Sequence, residues 1–148
     1  MGLDMYLDKH YFATMKPKYA RSSSRERDEK INGLPVKEKI CEAVYWRKAN
    51  AIHGWFVREV QGGEDNCQET EVTAEQLEAL LKLVTKVLKT KNASLLAPTP
   101  GFFFGSTDVD ENYWDDLEFT KKELTRVLAL HKKEKKDAWC WFTYRASW

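Results

Sequence analysis

The chain has 148 residues and a formal net charge of +1, which comes from 24 basic and 23 acidic side chains. This length suits one domain with one hydrophobic core, and the even charge balance excludes a protein that coats nucleic acid by bulk positive charge. The sequence shows no apolar run of the length that a signal peptide or a membrane-spanning helix needs, so we expect no membrane association. The 3 cysteines have no disulfide-framework or metal-binding spacing, and we expect reduced thiols in a cytosolic protein.

The first predicted element is a strand close to the N-terminus. Leu3, Met5 and Leu7 alternate with polar residues, which is the period of a half-buried strand. Residues 15–32 follow, with mixed charges and a run of serines. This polar composition predicts a mobile surface loop.

A long helix is predicted next. Pro35 suits the first position of a helix, and the helical pattern continues to about Gln61, where two glycines would end it. The apolar side chains at helical spacing along this segment are Tyr45, Ala49, Ile52, Phe56 and Val60.

A second helix and a short strand come after it. Thr73 and Gln76 form a capping-box pattern ahead of apolar residues at helical spacing from Leu77 to Leu88. The run Phe102–Phe104 lies between glycines, and such a short apolar run predicts a buried strand.

The third predicted helix follows Asp108, which forms another capping-box pattern with Glu111. Its predicted apolar face consists of Tyr113, Leu117, Thr120, Leu124, Val127 and Leu128. The segment 137–148 then alternates large aromatic side chains and predicts a terminal strand.

These elements predict the fold class. A strand is not stable alone, so the two terminal strands are expected to share one sheet, with the helices packed on a face. We therefore predict a single α+β domain over residues 1–148. Its small, mainly antiparallel sheet would include both terminal strands and would pack against about three helices.

Polar groups with different chemistry are concentrated in residues 45–53. Aromatic rings can stack on a base, cations can meet phosphate, and an amide and an imidazole can read polar edges, so the combination favours a nucleotide ligand. The residues that carry these groups are Tyr45, Trp46, Arg47, Lys48, Asn50 and His53. The competing interpretation is a helix at the edge of the core with solvated cations and a hydrogen-bonded histidine.

The segment Gly105–Ser106 lies between the apolar run and the start of the third helix. A turn that leads into a helix N-terminus is the general layout of an anion site, and Phe103 is a further stacking candidate. However, the acidic residues that begin this helix would repel a phosphate. The alternative is a short core strand followed by a capped helix.

Catalytic and metal-binding patterns are weak. The 3 histidines show no metal-ligand spacing, so we predict no metal and no cofactor. An enzyme of this sequence would use His53 as general acid or base, with Asp4 or Asp108 as partner, on a phosphoester or glycosidic bond. Because no paired-carboxylate or nucleophile–base spacing occurs, a non-enzymatic protein is favoured.

Four sequence blocks carry a resemblance to a known family. The blocks GLDMYL, AVYWRKANAIHGWF, GFFFGST and the terminal Ser-Trp resemble a family of small bacteriophage-encoded proteins. The resemblance implies an accessory protein of the host bacterial cytoplasm that antagonises host defences.

Two modes of action follow from this resemblance. The leading hypothesis is a protein that binds a phosphate-containing small ligand, such as a nucleotide signal. The alternative is an inhibitor that binds a host defence protein directly, for example a CRISPR or other nuclease component, with Trp139, Trp141 and Trp148 as anchors. Assembly into a homo-oligomer is compatible with both.

Overall fold

The two ends of the chain pair with each other at the centre of the sheet. The computed structural model describes residues 2–12, 29–134 and 139–148. Its strands are β1 (Asp4–Phe12), β2 (Lys30–Ile31), β3 (Leu34–Pro35), β4 (Glu38–Arg47), β5 (Thr70–Val72) and β6 (Cys140–Ser147). Its helices are α1 (Asn50–Glu59), α2 (Ala74–Thr90) and α3 (Glu111–Lys133), with a short 3₁₀ helix at Ala93–Leu96.

The main sheet has the strand order β4-β1-β6-β5, and every neighbouring pair is antiparallel. Alternation places Met5 and Leu7 of β1 in the core, beside Phe142 and Tyr144 of β6. The predicted α+β class, with both terminal strands in one antiparallel sheet and three helices, is confirmed.

The long helix predicted from Pro35 to Gln61 is wrong in its first half. Residues Glu38–Arg47 form β4, which pairs with β1 from Asp4↔Arg47 to Phe12↔Glu38. Side chains in the second half of β4 therefore alternate, with Val44 and Trp46 buried and Tyr45 and Arg47 exposed. The apolar residues at helical spacing misled the prediction because they span a junction: Tyr45 lies in β4, and Ile52 and Phe56 lie in α1.

The other two helices follow their sequence signals. The Thr73 hydroxyl accepts from the Gln76 backbone N–H at 3.1 Å, and the Gln76 amide oxygen accepts from the Thr73 N–H at 2.9 Å, so the capping box is present. The predicted apolar face of α3 is also its buried face. The predicted cap at Asp108 is wrong, because Asp110 accepts from the Tyr113 N–H and begins the helix.

The run Phe102–Phe104 is a turn and not the predicted strand. Phe104 donates its backbone N–H to the Gly101 carbonyl at 3.2 Å, and this tight reversal leaves Phe102 94% exposed while Phe104 is buried. A Cβ atom at Gly101 would lie 2.4 Å from the Phe104 ring, so only glycine lets the ring fold back.

The predicted loop at 15–32 falls largely outside the described residues. At its end, Lys30–Ile31 form β2, which pairs with β3 in a short hairpin. Among the described residues, no helix is both long and apolar enough to cross a bilayer. The three cysteines, all of them described, are free thiols.

The inward orientation of Trp46 gives a test of the β4 assignment. The Trp46 indole N–H donates to the Thr120 hydroxyl at 2.9 Å inside the core. In Thr120→Val this donor loses its partner, and we expect the free energy of unfolding to fall by about 1–3 kcal/mol in urea titrations.

Thr125→Val is the matched control. Thr125 lies on the same helix, and its hydroxyl also donates to the carbonyl four residues earlier, but it is exposed. We expect a change within about 0.5 kcal/mol there. Equal losses in the two variants would contradict the buried Trp46–Thr120 bond.

Candidate functional site

A sharp change from strand to helix forms one side of a cleft. β4 ends at Arg47, and Lys48 adopts a left-handed backbone conformation with φ of 56°. The Lys48 N–H donates to the Leu3 carbonyl at 2.8 Å, and the Asn50 N–H donates to the Lys48 carbonyl at 2.8 Å. The start of β1 therefore fixes the position at which α1 begins.

The Asn50 side chain joins this junction to the segment 99–106. Its amide nitrogen donates to the carbonyls of Phe104 at 3.0 Å and Ser106 at 2.9 Å, and its amide oxygen accepts from the Thr99 N–H at 3.0 Å. Three hydrogen bonds to one segment leave the buried amide little capacity for a ligand. Asn50 thus positions the cleft wall.

Gly54 lets the same segment approach α1 closely. A Cβ atom built at Gly54 would lie 2.0 Å from the Thr99 hydroxyl oxygen and 3.1 Å from its Cβ. A glycine in a helix interior costs about 1 kcal/mol relative to alanine. Here the missing side chain makes room for the segment that Asn50 holds.

The cleft between these parts has a volume of about 340 Å³. Its walls are the junction from Arg47 to Ile52, Pro98, the loop that contains Gly105 and Ser106, and the first turns of α3. This volume lies at the lower end of the range for small-molecule sites.

The junction side of the cleft is positive. Arg47 and Lys48 line it, together with the first turn of α1. Ala49 occupies the N-cap position of α1, and within the described residues no side chain caps that turn. The Asn50 N–H is bonded to the Lys48 carbonyl and the His53 N–H to the Ala49 carbonyl, so the N–H groups of Ala51 and Ile52 and the helix dipole remain to attract an anion.

The two cations differ in their present contacts. The Arg47 guanidinium lies 3.3 Å from the Asp4 carboxylate, and its side chain is 56% exposed. An exposed pair of this kind contributes at most about 1 kcal/mol, so Arg47 can turn toward a ligand at little cost. The Lys48 stem lies over Gly105, and the described residues place no carboxylate within ion-pair distance of its ammonium.

The α3 side of the cleft is acidic. Asp108, Asp110 and Asp116 line it. Burial, and then the nearby charges of Asp115 and Asp110, raise the pKa of Asp116 to about 6. The cleft therefore has a positive side and a negative side, with one carboxyl that holds its proton in mildly acidic solution.

The structure brings part of the predicted set together. Two separate segments supply the predicted residues that line the cleft, namely Arg47, Lys48, Asn50, Gly105 and Ser106. From the sequence, the acidic residues Asp110 and Asp116 are expected to stabilise the start of the helix and to repel a phosphate, and they are not predicted to line a site. The i, i+3 spacing of Tyr113 and Asp116 was the sequence signal that they share a face.

The predicted stacking rings lie elsewhere. Trp46 is 2% exposed in the core. The Tyr45 hydroxyl donates to the Asp4 carboxylate at 2.5 Å, on the face of the sheet that is turned away from the core. The Phe103 ring contacts Phe102 with centroids 4.7 Å apart and is not among the residues that line the cleft. The expected convergence of rings and polar groups on one helix face is therefore wrong, because residues 38–47 form a strand.

His53 is fully buried. One ring nitrogen lies 2.7 Å from the Tyr144 hydroxyl and the other lies 2.9 Å from the Asp65 carboxylate, which also accepts from the Trp148 indole at 3.0 Å. Both nitrogens are occupied by the protein, so in this arrangement His53 reaches no substrate. Asp4, its proposed catalytic partner, lies on the opposite face of the sheet.

Comparisons of the chain with family models, with curated proteins and with solved structures find no match.

The Asn50 clamp predicts a specific loss of structure. In Asn50→Asp a carboxylate would face two carbonyl oxygens, and we expect a destabilisation of about 2–4 kcal/mol together with faster amide exchange in residues 99–106. Asn112→Asp, at an exposed cleft residue, is the control and should leave exchange in that segment unchanged. Native exchange rates in Asn50→Asp would contradict the clamp.

The raised pKa of Asp116 predicts how stability depends on pH. A carboxyl whose folded pKa lies above its unfolded value of 3.8 stabilises the fold at low pH, and this contribution is lost as the pH rises through about 6. Asp116→Asn should therefore gain about 1 kcal/mol over the parent at pH 8, after allowance for partial exposure, and nothing at pH 3.5. Urea unfolding at both pH values checks this, and exposed Glu118→Gln should show no such difference.

Proposed function

We propose that the protein binds a small phosphate-containing ligand in this cleft and does not turn it over. The observation that carries the proposal is the positive side of the cleft, where Arg47, Lys48 and the uncapped first turn of α1 meet. A phosphate group there would receive charge-assisted hydrogen bonds from the cations and hydrogen bonds from backbone N–H groups.

The acidic side restricts the rest of the ligand. Carboxylates at Asp108 and Asp110 accept hydrogen bonds, and a ligand that presents hydroxyl or amino groups to them would fit. A nucleotide has such groups on its ribose and base, and it carries phosphate at the other end. Two opposed charges on the walls therefore favour a nucleotide over inorganic phosphate alone.

Recognition in this cleft would rely on hydrogen bonds more than on stacking. The aromatic residue that lines it is Tyr113, which is buried and donates its hydroxyl to the Leu96 carbonyl at 2.8 Å. Its ring edge can contact a ligand, but a base sandwiched between rings is not expected. The ligand class is thus defined by phosphate and donor groups.

The resemblance to bacteriophage proteins supplies a biological setting for this proposal. A small protein that binds a nucleotide signal of the host would lower the free concentration of that signal, and so would antagonise the defence that the signal controls. Binding without cleavage is sufficient for this role, and His53, the catalytic candidate from the sequence, has both ring nitrogens bonded within the protein.

Direct binding to a host defence protein is the second candidate. The observation that favours it is an aromatic row at the far end of β1, where the Phe12 ring lies 4.7 Å from Trp141 and 6.2 Å from Trp139. Trp139 is 75% exposed, and exposed aromatic groups of this kind anchor protein interfaces. Such binding would depend on Trp139 and would survive substitutions in the cleft.

A thermal-shift titration with a panel of mononucleotides, dinucleotides and cyclic oligonucleotides tests the cleft proposal. We expect at least one of them to raise the melting temperature, with inorganic phosphate weaker. The double variant Arg47→Ala, Lys48→Asn should weaken that ligand about 10–100-fold, because it removes two charge-assisted contacts. Asparagine at position 48 tolerates the left-handed backbone.

Lys86→Ala, which removes an exposed cation from α2, is the matched control and should bind as the parent does. Mass spectrometry of the recovered ligand separates binding from turnover. A stabilising ligand that binds the double variant equally well would place the site elsewhere, and a panel without any stabilising member would contradict the proposal.

A further inference from the structure

A second polar cluster lies at the other end of β1. His131 is on the last turn of α3, Glu134 follows as its C-cap, and Cys140 begins β6. One ligand atom of each residue lies within 4.8 Å of the others. Because three donor types from two elements converge on one point, this cluster differs from a chance group of surface carboxylates.

A lysine ammonium already occupies this point. The Lys9 ammonium lies 2.9 Å from Nδ1 of His131 and 3.0 Å from a Glu134 carboxylate oxygen, and Lys9 is only 6% exposed. The imidazole lone pair and the carboxylate thus both face a cation. The arrangement of their donor atoms is that of a cation site, with the protein's own ammonium in it.

Two further groups contact the Glu134 carboxylate in this cluster. The Tyr11 hydroxyl donates to one oxygen at 2.6 Å, and the Cys140 thiol donates to the other at 3.7 Å. The thiol must lose its proton before its sulfur can bind a metal.

We propose that His131, Glu134 and Cys140 form a binding site for a divalent transition metal such as Zn²⁺, and that the metal displaces the Lys9 ammonium. Nitrogen, sulfur and carboxylate oxygen are the donors that Zn²⁺ takes in proteins. Three protein ligands leave a fourth position for water. Magnesium and calcium, which require oxygen ligands, do not match this donor set.

The exchange balances in charge and protons. The metal forms bonds to a His131 ring nitrogen, to a Glu134 oxygen and to the Cys140 sulfur, and the thiol proton leaves to solvent. Lys9 keeps its proton and moves its ammonium out of the cluster. Tetrahedral bonds of about 2.0–2.3 Å bring ligand atoms about 3.3–3.8 Å apart, so from separations within 4.8 Å the three groups need to close by at most about 1.5 Å.

The full chain, free of any affinity tag, would be titrated with Co²⁺ as an optical probe for Zn²⁺. We expect one equivalent to bind and to give a thiolate-to-cobalt charge-transfer band, which Zn²⁺ then abolishes by competition. Cys140→Ser should lose the band. Cys67→Ser, at an exposed thiol outside the cluster, should keep it.

Lys9→Met tests the displacement. Removal of the competing ammonium should tighten Co²⁺ binding about tenfold or more, whereas loss of an ordinary structural lysine would leave it equal or weaker. Circular dichroism of each variant confirms that it is folded, and Glu134→Gln provides a second ligand variant that should weaken binding. The proposal is overturned if no thiolate band forms, if Cys140→Ser retains it, or if Lys9→Met does not tighten binding.

Discussion

The side-chain amide of Asn50 and the backbone of Leu3 hold the two walls of the cleft in place. Asn50 binds three backbone groups of the opposite segment. Leu3, which is fully buried at the start of β1, donates its N–H to the Phe103 carbonyl and accepts from the Lys48 N–H. Each wall is therefore fixed to the other and to the central strand. These directional bonds fix the backbone of both walls, whereas the exposed Arg47 side chain can still turn.

Much of the fold was predictable because its signals are local. The capping box at Thr73 and the apolar face from Tyr113 to Leu128 identify α2 and α3 without any tertiary information. The N-terminal strand shows a period of two, and the C-terminal strand is rich in strand-forming aromatic residues. A single strand is not stable alone, so the two are expected to share one sheet. The strand β4 was missed because Glu, Lys and Ala at its start favour helix, while pairing with β1 decides the outcome.

The cleft was predictable in part, and for a different reason. Arg47, Lys48 and Asn50 are close together in the sequence, so they lie near one another in any fold. What each side chain contacts depends on the direction in which it points, and this is set by the secondary structure. Because side chains alternate along a strand, Trp46 points into the core and Arg47 points away from it. If the segment is interpreted as a helix, the two side chains are not assigned to opposite sides. The cluster around Lys9 was outside the reach of sequence patterns, since its members come from both ends of the chain.

The order of strands in the sheet has a consequence for how the molecule assembles. His10 of β1 contacts Glu38 across 28 residues of chain, but it contacts Thr143 across 133. Closing the longer loop costs about 1.4 kcal/mol more in chain entropy, so β1 and β4 pair first. The edge of β1 that β6 covers stays open until β6 pairs with it. The centre of this sheet is the last part of it to be completed.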